Sequence, residues 1–313
     1  MRVGVYSGPD GRWRAGLAVD SVLLDAEDLA LAAELVEDDR EQWWASSRWV
    51  LGLAPDVLAE LAAEAITAAA RGEGMALSEL ELGPPIPDPD KIICVGLNYG
   101  LHAQELELET PASPTLFAKF RTALVGPGAP ILIPPIAEQV DWEGELAVVI
   151  GRRCKDVSEE HALDCVAGCM AFNDVTARDL QMASSQWTAG KALDTFAPCG
   201  PLLVSLSDLG DVQNLPIQTR VNGVTVQDGC TDAMIFSVAE LVSYISRLTT
   251  LVPGDIIATG TPEGVGFRRE PPMFLGPGDT VEVEIGGIGS IENPVASDTG
   301  TETVEPVVSS TNV

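Results

Sequence analysis

The sequence predicts an α+β protein, rich in strands after residue 90 and preceded by a small N-terminal α/β region. Three observations carry that expectation. Beyond residue 90 strand patterns outnumber helical ones and do not alternate with them, which disfavours a doubly wound sheet or a (β/α) barrel. The clearest amphipathic helical patterns, near 32–48 and 55–71, fall within the first 85 residues. Between the two regions SELELGPPIPDPD is proline-rich and aperiodic, a boundary near 83–90. The expected organisation is an accessory domain at 1–85, a catalytic domain at 90–297 and a polar, disordered tail at 298–313.

Taken in order, MRVGVYS and GRWRAGLAVD read as strands separated by the turn cluster Gly8-Pro9-Asp10-Gly11. The pattern at 55–71 stops at Gly72 and Gly74. KIICVG is an apolar strand running into Asn98-Tyr99-Gly100, and the acidic LHAQELELET is helical up to Pro111. SPTLFAKF is a strand with Lys119 set off an apolar run. A Gly/Pro-rich connection leads to VDWEGELAVVIG, and VAGCMAFND is a second buried strand. TARDLQ starts a helix with Thr176 as candidate N-cap, and SSQWTAGKALDTF reads as loop. Asn222-Gly223 marks a type I′ hairpin, Ser237 and Glu240 form a capping box, and GDTVEVEIGGIGSIENPV closes the chain as a hairpin.

The chemistry concentrates between Asp141 and Gln181. Glu143 and Glu145 are two apart on a strand and therefore project from one face. Buried carboxylates must be neutralised or paired. With Asp174 at the end of the next strand, and no convergent His or Cys, they suggest an all-oxygen site suited to Mg²⁺ or Mn²⁺ rather than Zn²⁺. An isolated E-x-E is also what a structural ion pair with Arg152 or Arg153 would leave. His102 and Glu105 lie three apart on one helical turn, as a general base and its orienting acid do, or as an exposed ion pair does. His161, flanked by acids, reads as a surface residue. GTPEGVG is neither a dinucleotide fingerprint nor a Walker A loop. It reads either as a tight turn or as N–H groups and a Thr261 hydroxyl that grip a carboxylate.

A formal net charge of −29 excludes non-specific nucleic-acid binding, which needs positive charge against phosphate. The longest apolar runs are too short to cross a membrane, and no signal peptide is visible. Six cysteines without a C-x-x-C pair read as reduced thiols of a cytoplasmic protein.

Several blocks in order, GLNYGLHAQE, PTLFAKF, DWEGELAVVIG, AFNDVTARDLQ, QWTAGKALDTFAPCGP, VNGVTVQDGCTDAMIF, PGDIIATGTPEGVG and LGPGDTVEVEIGGIG, resemble the fumarylacetoacetate hydrolase family in its shorter, prokaryotic-type branch. The resemblance spans roughly residues 90–295. It implies a strand-rich mixed β-roll assembled as a homodimer, with Mg²⁺ or Mn²⁺ held by Glu143, Glu145 and Asp174. It implies that His102 and Glu105, in a mobile lid, activate water, and that Lys191 is catalytic with them, reaching the metal-bound oxygens. Tyr99, Lys119, Arg178, Gln181 and Thr261 match substrate-contacting positions. Phe120 follows Lys119 where the family usually has proline, and Trp142 stands where tyrosine or histidine is common. The implied activity is hydrolysis of a C–C bond in an acylpyruvate or other 2,4-diketo acid. Alternatives on the same metal are a 2-oxo acid decarboxylase of oxaloacetate type and a keto–enol isomerase; a non-catalytic relative is the reading from another class.

Overall fold

The structure, a computed structural model, describes residues 1–33, 47–100 and 111–299. His102 and Glu105, and the tail beyond 299, lie outside the described residues.

The centre is an antiparallel pair, Gly144–Ile150 against Val166–Asn173, in which Gly144 faces Asn173 and Ala147 faces Met170. Every residue of Gly144–Ile150 is buried, so the strand has no polar face, as its unbroken apolar run requires. Leu146, Val148 and Ile150 pack in one layer with Leu241, Val242 and Ile245, while Ala147 and Val149 pack in the other with Met170 and Phe172. At about 1.5–3 kcal/mol for each large buried aliphatic side chain, the layers fix the register. A one-residue slip would move Glu145 to the opposite layer.

From this pair the large sheet spreads both ways. On one side Ile256–Ala258 pairs antiparallel with Gly144–Ile150 and parallel with Ile92–Gly96, which pairs in turn with Thr115–Lys119. On the other, Ala197–Ser205 pairs with Val166–Asn173 and with Arg2–Ser7. The N-terminal strands therefore extend the same sheet. A second, five-stranded sheet packs against it and contains the expected hairpins Pro216–Val221/Val224–Cys230 and Thr280–Ile285/Gly289–Ser297. Asn222 and Gly223 have φ of 51° and 76°, the two positive values a type I′ turn needs. The helix Val238–Leu248 starts at the expected Ser237/Glu240 capping box.

Local expectations differ at three places. The helical pattern expected near 32–48 falls mostly outside the described residues, and ahead of it Ala26–Ala32 is an unexpected helix, formed because the Asp25 carboxylate accepts from the N–H groups of Glu27 and Asp28. Residues 34–46 lie outside the described residues. Thr176 caps no helix. It forms a two-residue strand with Ala177 opposite Val140–Asp141, and its hydroxyl donates to Asp174 O. Within the segment read as loop, Thr188–Lys191 is a helical turn.

Gly168 lies where two strands approach closely. A Cβ there would sit 2.3 Å from Val204 O and 2.8 Å from Val204 C, both backbone atoms of a paired strand. Gly168→Ala should therefore cost about 3 kcal/mol of stability in a urea titration, since the sheet cannot yield as a side chain would. A loss under about 1 kcal/mol would show that these strands separate easily.

Candidate active site

Strand register assembles the acids. Because Gly144 faces Asn173, Glu143 comes opposite Asp174, and the Asp174 N–H donates to Glu143 O at 2.9 Å. Opposed residues share a face, and Glu145 joins them from two positions along. Carboxylate oxygens of Glu143, Glu145 and Asp174 lie within 4.8 Å of one another, and all three residues are buried. Asp179 stands apart, its Oδ2 accepting from the Glu138 N–H.

Two of the acids share a lysine. Lys191 Nζ donates to Glu143 Oε2 at 2.8 Å and to Asp174 Oδ2 at 2.7 Å. Lys119 Nζ lies 2.6 Å from Asp174 Oδ1. For Glu145 the hydrogen bond in evidence at the carboxylate is the Gly260 N–H, at 2.9 Å. Gly260 has φ of +101°, a conformation open to glycine that turns this N–H toward the strand. Burial first, then the charges of Asp174 and Glu143, push the Glu145 carboxyl well above its usual range.

The two lysines titrate in opposite directions for a physical reason. Burial works against the charge on each. Lys191 is nonetheless raised, because Asp174 and Glu143 together outweigh burial. Lys119 meets Asp174 alone, with Lys191 repelling it, and is lowered. Its ammonium also donates to Val175 O and Lys191 O. It sits behind Asp174 and is not among the residues lining the cleft, so the structure places it as a brace rather than at the substrate position the resemblance implies.

Arg178 is buried against two acids and an amide. Its Nε donates to Asp141 Oδ1 at 2.7 Å, Nη1 donates to Gln181 Oε1 at 3.1 Å, and Nη2 lies 2.7 Å from Glu143 Oε1. Asp141, pushed up to about 6 by burial against the opposing pull of Arg178, also accepts the Phe267 N–H on Oδ2 at 3.0 Å. Sequence reasoning missed this role of Asp141, although its position two before Glu143 was a signal.

A cleft of about 370 Å³ opens onto these groups, lined by Glu143, Arg178, Gln181, Lys191 and Thr261 on its polar side. The Thr261 hydroxyl donates to Gly144 O and accepts from Gln227 Nε2, so it braces the acid-bearing strand while facing the cleft. Tyr99 is buried in the apolar cluster that holds Leu146 and Leu241 and is not among the cleft-lining residues, but its hydroxyl, which has no hydrogen-bond partner among the described residues, is pushed up by burial and by the charge of Glu145. A cleft of about 490 Å³ along the N-terminal strands is larger, but its Arg14 and Arg71 are each paired with acids. His161 is exposed and pairs with Asp164.

The donor set suits a hard divalent cation. Counted as formal charges, Asp141, Glu143, Glu145 and Asp174 against Lys119, Arg178 and Lys191, all buried, leave one negative charge in excess. The three clustered acids offer oxygen ligands without nitrogen or sulfur.

Residues 91–296 match the fumarylacetoacetate hydrolase C-terminal domain. The chain belongs to the fumarylacetoacetate hydrolase family. Among its relatives is a mitochondrial oxaloacetate tautomerase of Xenopus laevis, 47% identical over 220 residues, covering 70% of this chain and 69% of that protein. A human mitochondrial oxaloacetate tautomerase is 46% identical, with 70% of each chain covered. Of solved structures in this family, a fumarylacetoacetate hydrolase from Exiguobacterium antarcticum superposes with a TM-score of 0.79 at 34% identity, covering 95% of this chain and all of that one. A 2-hydroxyhepta-2,4-diene-1,7-dioate isomerase from Mycobacterium marinum gives 0.70 at 35% identity, covering 96% and 99%. The strand-rich fold expected from the resemblance is the fold observed.

Proposed function

We propose that this member of the fumarylacetoacetate hydrolase family interconverts the keto and enol forms of a short 2-oxo acid of oxaloacetate type. The observation that carries the reading is the 46–47% identity, over the domain that holds the acids, to proteins named oxaloacetate tautomerases. C–C hydrolysis, the first activity implied by the resemblance, thereby gives way to the isomerase alternative. In support, the cleft is small and its polar side is charged, which suits a compact polar acid.

Glu143, Glu145 and Asp174 would hold Mg²⁺ or Mn²⁺, whose Lewis acidity makes the carbon beside a ketone easier to deprotonate. Lys191, kept charged by its two acids, would stabilise negative charge developing on the enolate oxygen. Gln181, its oxygen taken by Arg178, would offer amide N–H groups to the substrate carboxylate. Arg178 and Thr261 would keep Glu143 and the acid-bearing strand in place. His102, oriented by Glu105, would carry the proton to and from carbon. The partner is thus a small-molecule acid, and a homodimer is the proposed assembly.

Two substrates separate the readings. With Mg²⁺ present, decay of the oxaloacetate enol absorbance should accelerate with enzyme, and acetylpyruvate should release no acetate. Release of acetate from acetylpyruvate, with enol decay at the uncatalysed rate, would restore the hydrolase. Stoichiometric CO₂ from oxaloacetate would favour the decarboxylase.

A further inference from the structure

We propose that the substrate carries an apolar substituent, alkyl or aryl, beyond its 2-oxo acid head, and that Leu97, Phe117 and Trp187 select for it; the inference rests on the proposed function, which sets the head against the acids and Lys191. The cleft has two unlike sides. Glu143, Arg178, Gln181 and Lys191 line one, and Leu97, Phe117, Met182 and Trp187 line the other. Of these last four side chains only the indole carries a hydrogen-bond donor. Clefts of about 300–1,000 Å³ take drug-sized molecules. At about 370 Å³ this one holds more than a four-carbon acid fills, and the remaining room borders the apolar side.

That side begins at the reacting end. Lys191 Nζ lies 5.1 Å from the centre of the Phe117 ring, so apolar surface starts beside the ammonium assigned to the enolate oxygen. Phe117 in turn meets Trp187 edge to face, ring centres 5.4 Å apart and planes at 69°. The indole lies against the backbone at Gly96, where a Cβ would come within 2.5 Å of a ring carbon. The missing side chain at Gly96 is what seats it.

Leu97 is the strained member. Its φ is +59°, in the left-handed region where a Cβ crowds the following carbonyl. The next residue holds it there. Asn98 is buried, its Nδ2 donates to Phe236 O at 3.0 Å and to Thr259 O at 2.8 Å, and its Oδ1 accepts the Phe236 N–H at 2.8 Å. Gly260, whose N–H meets Glu145, packs on the same residue, since a Cβ at Gly260 would lie 2.8 Å from Asn98 Cβ. Leu97 is therefore fixed relative to the acids. Glycine would take this conformation without strain. A leucine kept in it, on a cleft wall, points to a side chain retained for what it contacts.

Pyruvate, 2-oxobutyrate, 2-oxopentanoate and 2-oxohexanoate share the head and grow by one methylene at a time. In calorimetric titration into the Mg²⁺-loaded protein, wild-type affinity should rise about 2- to 4-fold with each methylene. In Leu97→Gly and in Trp187→Ala the rise should shrink to about 1.5-fold or less, with pyruvate held within about 2-fold of wild type. Leu97→Gly relaxes the backbone as it removes the side chain, so its melting temperature should stay within a few degrees of wild type. Binding of 2-oxohexanoate to wild type no tighter than that of pyruvate, or not at all, overturns the proposal. So does a gradient unaltered in both variants. Equal weakening of all four acids overturns it too, by showing a structural role. A steep gradient in a protein that leaves the oxaloacetate enol untouched removes the proposed function and not the selection by chain length.

Discussion

Glu145→Gln is expected to make the metal-free protein more stable and, in the same stroke, to abolish its stabilisation by metal. Glu143 and Asp174 each face a lysine, whereas Glu145 receives the Gly260 N–H, a bond that a glutamine oxygen can also accept. An ionised carboxylate buried beside two others is held against desolvation and repulsion. Its neutral isostere should gain on the order of 1–2 kcal/mol, a melting temperature higher by a few degrees.

The sign with pH follows from the raised carboxyl. In the fold Glu145 keeps its proton above the ordinary value of 4.5, so folded protein binds more protons than unfolded. Stability from this group is therefore lost as pH rises from about 4.5 through the higher folded value. Glutamine has no such loss, and the gap between variant and wild type should widen with pH until Glu145 ionises. With Mg²⁺ or Mn²⁺ at about a hundred times its dissociation constant, wild type should gain about 2.7 kcal/mol and the variant nothing, reversing their order. A metal-free variant less stable than wild type, or one that still gains from metal, would count against the cation site.

Lys191→Met should produce the second large effect. The ammonium bridges Glu143 and Asp174 at 2.8 and 2.7 Å, is 2% exposed, and lies 5.1 Å from the centre of the Phe117 ring. Methionine fills similar space but leaves two buried carboxylates short of a cation, at about 3–5 kcal/mol. Turnover should fall about 10²- to 10³-fold, the scale for removing one donor from a developing oxyanion. Divalent metal should restore part of the stability, because it returns positive charge to the same oxygens, but little of the turnover. Lys119→Met is the informative comparison. It is as buried but stands behind Asp174, so its loss should lower stability with a smaller effect on kcat. Equal losses of kcat in both variants would mean that Lys191 does no more than brace the acids.

What could be read from the chain was local. E-x-E on an apolar strand, an Asp closing the next strand, Asn222-Gly223 and the Ser237/Glu240 box each depend on neighbours within a few residues. What escaped depends on contacts across long stretches of chain. The position of Asp141 two before Glu143 hints at a role, but the groups its carboxylate joins, Arg178 and Phe267, are distant in the chain, the second 126 residues on. Gly96 reads as the end of a strand until Trp187 fills the space beside it. Thr261 carries a plausible ligand hydroxyl in sequence, yet its hydrogen bonds go to Gly144 and Gln227. Tyr99 follows Asn98, whose amide ties the segment to Phe236 and Thr259, and the ring is drawn into the core. The continuity of the N-terminal strands with the large sheet rests on the pairing of Arg2–Ser7 with Ala197–Ser205, which no periodicity records.

Titration of Mn²⁺ into the protein, followed by the loss of the free-ion electron paramagnetic resonance signal, tests the carboxylate site most directly. One ion bound per chain in wild type, and none at that site in Glu145→Gln or Asp174→Asn, is the expected result. Wild-type protein that leaves Mn²⁺ free, or variants that bind it as tightly as wild type, would contradict a cation held by Glu143, Glu145 and Asp174.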